Sequence, residues 1–166
     1  MNKKIFITFV LCVLFCNKIF TDQCPFCNPE VLKKHAVYTG ENFFILLNHT
    51  PITDGHVMII PKKHIVRSDG IPSEFYVEFA DLVKKTSAVF RNELQADDYF
   101  ILQKNGAYAG QTVFHAHFHL VPVKTDDSLF MTQTKILYKI MIPRSPSSNK
   151  ELKPMRNKLR RAFESL

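Results

Sequence analysis

Tryptophan is absent, glycine occurs only five times in 166 residues, and no segment repeats itself at a fixed period. Lack of a repeat excludes stacked-repeat architectures, and lack of any long low-complexity stretch excludes a chain that is mostly tether. Missing too is an apolar run long enough to span a bilayer comfortably. The longest, residues 5–16, has twelve residues and is broken only by Thr8. What remains is an ordinary globular composition, 46% apolar and 22% charged, with fifteen phenylalanines to fill the core. The length fits one domain with a short tail or two.

The apolar run follows Lys3 and Lys4 and gives way to Asn17 and Lys18, which is the pattern of a secretory signal. No small-x-small pair precedes Cys24, and Phe15 directly before Cys16 does not suit a lipid-attachment cysteine. Two readings therefore stand. Residues 1–21 are a signal peptide or signal anchor, which exports the protein or ties it to a membrane (periplasmic side if bacterial). Alternatively they are an apolar extension on a cytoplasmic protein. Either way they lie outside the fold, which leaves a domain over 22–123 and a basic extension over 124–166.

Acidic residues are scarce in that extension: ten basic residues face four acidic ones, on a chain of net charge +7. The field of such a tail can attract phosphate-rich partners, or the tail can be a solvated helix face. Nucleic acid is not expected as a partner, because charge is unaccompanied by an aromatic or groove-reading motif.

Between the ends, hydrophobic patterning predicts an α+β domain: an antiparallel sheet of about five strands, one long central helix and a basic C-terminal helix. Residues 43–47 form an apolar run read as a buried strand, and a loop closing on Gly55 separates it from a strand over 56–60 that Pro61 ends. Ser73 offers an N-cap, and Phe75, Phe79, Leu82, Val83, Thr86, Val89 and Phe90 recur at helical spacing to about Leu94. Residues 99–103 are a further strand, and the C-terminal helix starts near Asn149 with Pro154 close to its first turn.

Residues 114–121 read Phe-His-Ala-His-Phe-His-Leu-Val. Read as a strand, they point His115, His117 and His119 to one face and Phe114, Ala116, Phe118 and Leu120 to the other, where a helix can cover them. A lone strand histidine is usually structural, and three can form a pure metal site. Gly110-Gln111-Thr112, just upstream, adds a flexible backbone, an amide and a hydroxyl. These are the donors needed to hold phosphate oxygens beside a nucleophile, and they favour chemistry at phosphorus.

Gly110-Gln111-Thr112-Val113-Phe114 followed by His-Ala-His-Phe-His-Leu-Val resembles the histidine-triad (HIT) family pattern. The stretch from Asp54-Gly55-His56 to Pro61-Lys62-Lys63-His64 resembles the strand that accompanies it, and Asn105-Gly106 looks like the family's substrate loop. Ala116 and His119 argue against the uridylyltransferase and tetraphosphate phosphorylase branches of the superfamily. The absence of cysteine after Cys27 argues against the aprataxin branch. The resemblance implies an enzyme, a nucleotide hydrolase or transferase. It would cleave nucleoside phosphoramidates or dinucleoside polyphosphates at the α-phosphate through a nucleotidyl-histidine intermediate. The alternative is a non-catalytic HIT-fold protein that binds a nucleotide or a partner. By the same resemblance His117 is the nucleophile, and His119 and His56 support the phosphate. His115 stands beside the nucleophile, and Gln111 and Thr112 donate to phosphate oxygens or the leaving group. Asn105 borders the phosphate path, Asn48 meets the ribose, and Ile45 and Leu47 wall the base pocket of a purine nucleotide. A homodimer is implied as well.

Cys24 and Cys27 have the C-x-x-C spacing of a zinc half-site. In a mainly bacterial subset of the family such a pair is completed by residues that correspond to His64 and His115. The resemblance thus implies a closed structural Zn2+ site of Cys24, Cys27, His64 and His115. A disulfide or a redox pair is the competing reading, although the βαβ context of a redox motif is missing.

Overall fold

A computed structural model of the protein describes residues 24–124, 128–142 and 145–166. The apolar leader, residues 1–21, lies outside the described residues. Among those described, no helix is long and apolar enough to cross a membrane.

Five strands form one antiparallel sheet in the order β1-β2-β3-β5-β4. They are β1 (Ala36–Thr39), β2 (Phe43–Leu47), β3 (Val57–Pro61), β4 (Asp98–Gln103) and β5 (Phe118–Val123). Among the described residues four α-helices accompany them: α1 (Pro29–His35), α2 (Phe75–Leu94), α3 (Leu129–Met141) and α4 (Asn149–Glu164). The central strand β3 is apolar at every position and buried throughout, as a strand covered on both faces must be.

One face of the sheet carries the main core. Phe43, Ile45 and Leu47 of β2, Val57 and Ile59 of β3, and Phe118 and Leu120 of β5 pack with Leu82, Val89, Phe90 and Leu94 of α2 and with Leu152, Leu159 and Phe163 of α4. On the opposite face Leu46, Met58 and Ile60 pack with Cys24 and Phe26. The strand period of two separates these sets, and it puts His119, paired with Met58, on the second face.

Several expectations are corrected. Ser73 does not cap α2: the cap position is Glu74 without a side-chain bond, and the turn is closed by backbone bonds from Phe75 N to Pro72 O and from Tyr76 N to Ser73 O. Helix α3 occupies part of what reads as a loop, with Ser128 at its N-cap accepting from Met131 N. The histidine segment is strand only from Phe118 onward. Continuing the β3–β5 register would set Ala116 opposite Pro61, which has no N–H to give the ladder. Instead the Pro61 carbonyl accepts from the His115 ring at 2.9 Å, and Ala116 N donates to Ile65 O. The chain bends at 113–115, and Phe114 stays in solvent rather than under a helix.

Three basic residues of the tail are engaged in packing. Arg160 of α4 donates to Ala36 O and Lys33 O, buried Arg156 donates to Asn149 Oδ1, and Lys158 bonds Glu93 O.

Candidate active site and metal centre

The Cys24–Cys27 turn is closed by a backbone bond from Cys27 N to Cys24 O, which points both thiols toward the end of β3. Cys24 Sγ lies 3.4 Å from His115 Nδ1, and Cys27 Sγ lies 3.3 Å from His64 Nδ1 and 3.6 Å from His115 Nδ1. One ligand atom from each of the four residues falls within 4.8 Å of the others, so the group could hold a metal ion. The donor set fits zinc: with Zn–S and Zn–N bonds of ordinary length, a tetrahedron has an S···N edge of about 3.6 Å. Because His115 gives its Nε2 proton to Pro61 O, its Nδ1 lone pair is left facing the thiols. Both cysteines are free thiols, so they are not paired as a disulfide. Burial, with Cys24 alongside, pushes the Cys27 thiol up to about 12.

Next along the same face stands His117. Its Nδ1 donates to the His115 carbonyl at 2.7 Å, which fixes the tautomer and turns the Nε2 lone pair outward. Burial holds His117 below the ordinary histidine pKa against the opposing effect of that backbone bond, and the positive charge of Lys104 lowers it further. The ring is therefore neutral, and nucleophilic, near pH 7. The Phe26 ring packs in a T-shaped arrangement against both imidazoles, with centroids 5.8 Å from His115 and 5.3 Å from His117.

His119 follows, its ring centroid 5.0 Å from that of His117. Its Nδ1 lies 2.9 Å from His56 Nε2, and Ile52 N donates to His56 Nδ1 at 3.1 Å. The backbone donor makes Nδ1 of His56 an acceptor, so Nε2 carries the proton and passes a hydrogen bond to His119. A neutral His119 then keeps its own proton on Nε2. The rings of His117 and His119 line a cleft of about 540 Å3 together with Asn48, His56 and Thr112.

Other expected site residues sit elsewhere. Ile45 and Leu47 are in the helix-side core, on the face of the sheet away from the histidines, and wall no part of the cleft. Strand alternation assigns the histidine face to Leu46 instead. Gln111 is buried with its amide fully engaged: Oε1 accepts from Gly106 N, and Nε2 donates to Val66 O and Val113 O. It shapes the loop and offers the cleft no donor. Asn105 exchanges two 2.7 Å bonds with Gln103 and two more with Ser68, so it staples loops and does not line the cleft. Asn48 does reach the cleft, but its Oδ1 accepts from Thr50 N at 2.9 Å in a local turn.

Sequence reasoning missed two groups that do line the cleft. One is Lys104, which follows β4; the other is the end of α3, through Lys139, Ile140, Met141 and Ile142. Their spacing carried no signal. Phe26 was also missed, although its place between the two cysteines sets it beside His115.

A family model described as the HIT domain matches residues 30–126. Among curated proteins, a bis(5'-adenosyl)-triphosphatase of Dictyostelium discoideum is 31% identical over 140 residues, covering 82% of this chain and 91% of that one. An adenosine 5'-monophosphoramidase of Candida albicans is 34% identical over 111 residues, covering 63% and 72%. Among solved structures, a zinc-bound histidine triad family protein from Mycobacterium smegmatis superposes with a TM-score of 0.64 at 30% identity, over 87% of this chain and 96% of that one.

Proposed function

The chain belongs to the HIT domain family, and on that premise we propose that it is a nucleotide hydrolase or transferase that cleaves at an α-phosphate through a nucleotidyl-histidine intermediate on His117. The observation that carries this reading is the His117 Nδ1 bond to the His115 carbonyl, because it aims an Nε2 lone pair into the cleft. Attack by Nε2 replaces one difficult displacement with two easier ones. His119, held by His56, offers a donor for charge that develops on the phosphate. Thr112 lines the cleft with a hydroxyl to offer, and Asn48, which also lines it, holds its Nδ2 against the His56 ring at 3.3–3.4 Å. The names of the relatives favour adenosine phosphoramidates or dinucleoside polyphosphates as the substrate class.

Incubation with adenosine 5'-phosphoramidate and diadenosine triphosphate tests the reading, with intact-mass analysis for the adduct. Wild type should turn over one or both and His117→Ala neither. Absence of both turnover and adduct in wild type would sink the proposal.

Cys24, Cys27, His64 and His115 would hold Zn2+ as a closed four-ligand cross-link with no position open to substrate. A second copy of the chain pairing along the edge strand β4 is the assembly we propose, supported by its exposed Tyr99 and Ile101 and testable by sedimentation. Export or anchoring by residues 1–21 is likewise a proposal, and cell fractionation decides it against a cytoplasmic location.

A further inference from the structure

Lysines rim the cleft where no acidic side chain does. Among the described residues that line it there is no carboxylate, while Lys104 and Lys139 both contribute. Lys104 is half-buried at the end of β4, and its ammonium lies along Gly110: a Cβ built there would come within 3.3 Å of Nζ. Gly110 has φ +80, so both its conformation and its missing side chain make room for that ammonium. The charge of Lys104 reaches the His117 ring. No ion pair takes up this ammonium among the described residues. Lys139 arrives from a different element, α3, and its Nζ is held by Ile52 O at 2.9 Å. An adjoining cavity of about 390 Å3 shares Ile52 and Lys139 with the cleft and adds Lys124 and Lys135, with Asp54 the carboxylate among its described lining residues.

We propose that Lys104 and Lys139 form a two-ammonium clamp that selects substrates whose leaving group is itself a phosphate. The proposal rests on the nucleotidyl-transfer reading above and adds two specificity-determining residues to it. His117 Nε2 forms the N–P bond while the P–O bond to the leaving phosphate breaks. The electron pair departs on that oxygen, and the imidazolium keeps its Nδ1 proton. Water then adds at phosphorus as the P–N bond breaks. The nucleoside monophosphate leaves, one water proton passes to solvent, and His117 returns neutral. A phosphoramidate sheds an amine, which needs a proton and gains nothing from a nearby cation. A polyphosphate sheds a multiply charged anion, which a neighbouring ammonium stabilises directly. The adjoining lysine-lined cavity gives the distal end of a long chain of phosphates somewhere to go.

The readout is the ratio of kcat/KM for diadenosine triphosphate to that for adenosine 5'-phosphoramidate. Lys104→Met should lower the ratio about ten- to hundred-fold, the range of a charge-assisted hydrogen bond, and Lys104→Arg should recover most of it. Lys139→Met, on a separate element, should lower the ratio as well. Equal losses on both substrates, or an unchanged ratio, would overturn the clamp. Binding of inorganic tripolyphosphate separates this outcome from failure of the catalytic reading. If wild type turns over neither nucleotide, yet Lys104→Met weakens tripolyphosphate about tenfold, the clamp stands and the catalytic reading falls. If tripolyphosphate binds both proteins alike, the clamp falls.

Discussion

Single hydrogen bonds decide which nitrogen of each imidazole can act. The Pro61 carbonyl assigns His115, the His115 carbonyl assigns His117, and Ile52 N assigns His56 and through it His119. Breaking the last of these chains should affect the reacting phosphate more than nucleotide binding. His56→Phe is expected to lower kcat by about a hundredfold with a smaller change in KM, as loss of an oriented donor does. Steady-state kinetics beside zinc analysis would check that the metal content is unaltered. Cys27→Ser acts on the other side of the nucleophile. It should abolish zinc retention, lower the melting temperature and reduce turnover together, because the His115 carbonyl that aligns His117 belongs to a ligand. A Cys27→Ser protein with full activity and the wild-type melting temperature would show that the cluster does not support the site.

Among the elements, β3 and α3 are opposites. Ile59 is completely buried in the middle of the sheet, and Ile59→Ala should cost about 2–5 kcal/mol in chemical denaturation. Helix α3 has no buried residue and shows Phe130, Leu137, Tyr138 and Met141 to solvent. Phe130→Glu should therefore change stability by less than about 0.5 kcal/mol, and α3 amides should exchange faster than those of β3. The same contrast explains what could be read in advance. Elements that bury a regular stripe, such as β2, β3 and α2, announce themselves by their period. Helix α3 has an amphipathic spacing comparable to that of α2, which the loop reading passed over, but it buries none of its apolar residues. The histidine segment was legible as chemistry but not wholly as strand, because the bend at 113–115 depends on the Pro61 carbonyl 54 residues away. Ile45 and Leu47 were placed one residue out of phase, and in a strand that reverses the face. Gln111 and Asn105 had the right chemistry for phosphate. Only the loops they hold, at Gly106, Val66 and Ser68, show where their amides are used.

For the molecule as a whole, two histidines outside the cleft contribute to the response to acid. Burial, reinforced by neighbouring Lys34, lowers the pKa of His35 from 6.5 to about 4, and His49 is lowered in the same direction. Between about pH 6.5 and pH 4 the unfolded chain binds protons there that the folded chain does not. Stability should fall as pH drops through that window. Thermal melts across the window should show the decline, and His35→Gln should make it shallower. Helix α4 completes the main core by placing Leu152, Leu159 and Phe163 against residues of β1, β2 and α2. On a ribosome, all five strands emerge before the helix that finishes the core they share. A growing chain must then carry Val37 and its neighbours uncovered until that helix has emerged, which is when a chaperone would have the most to hold.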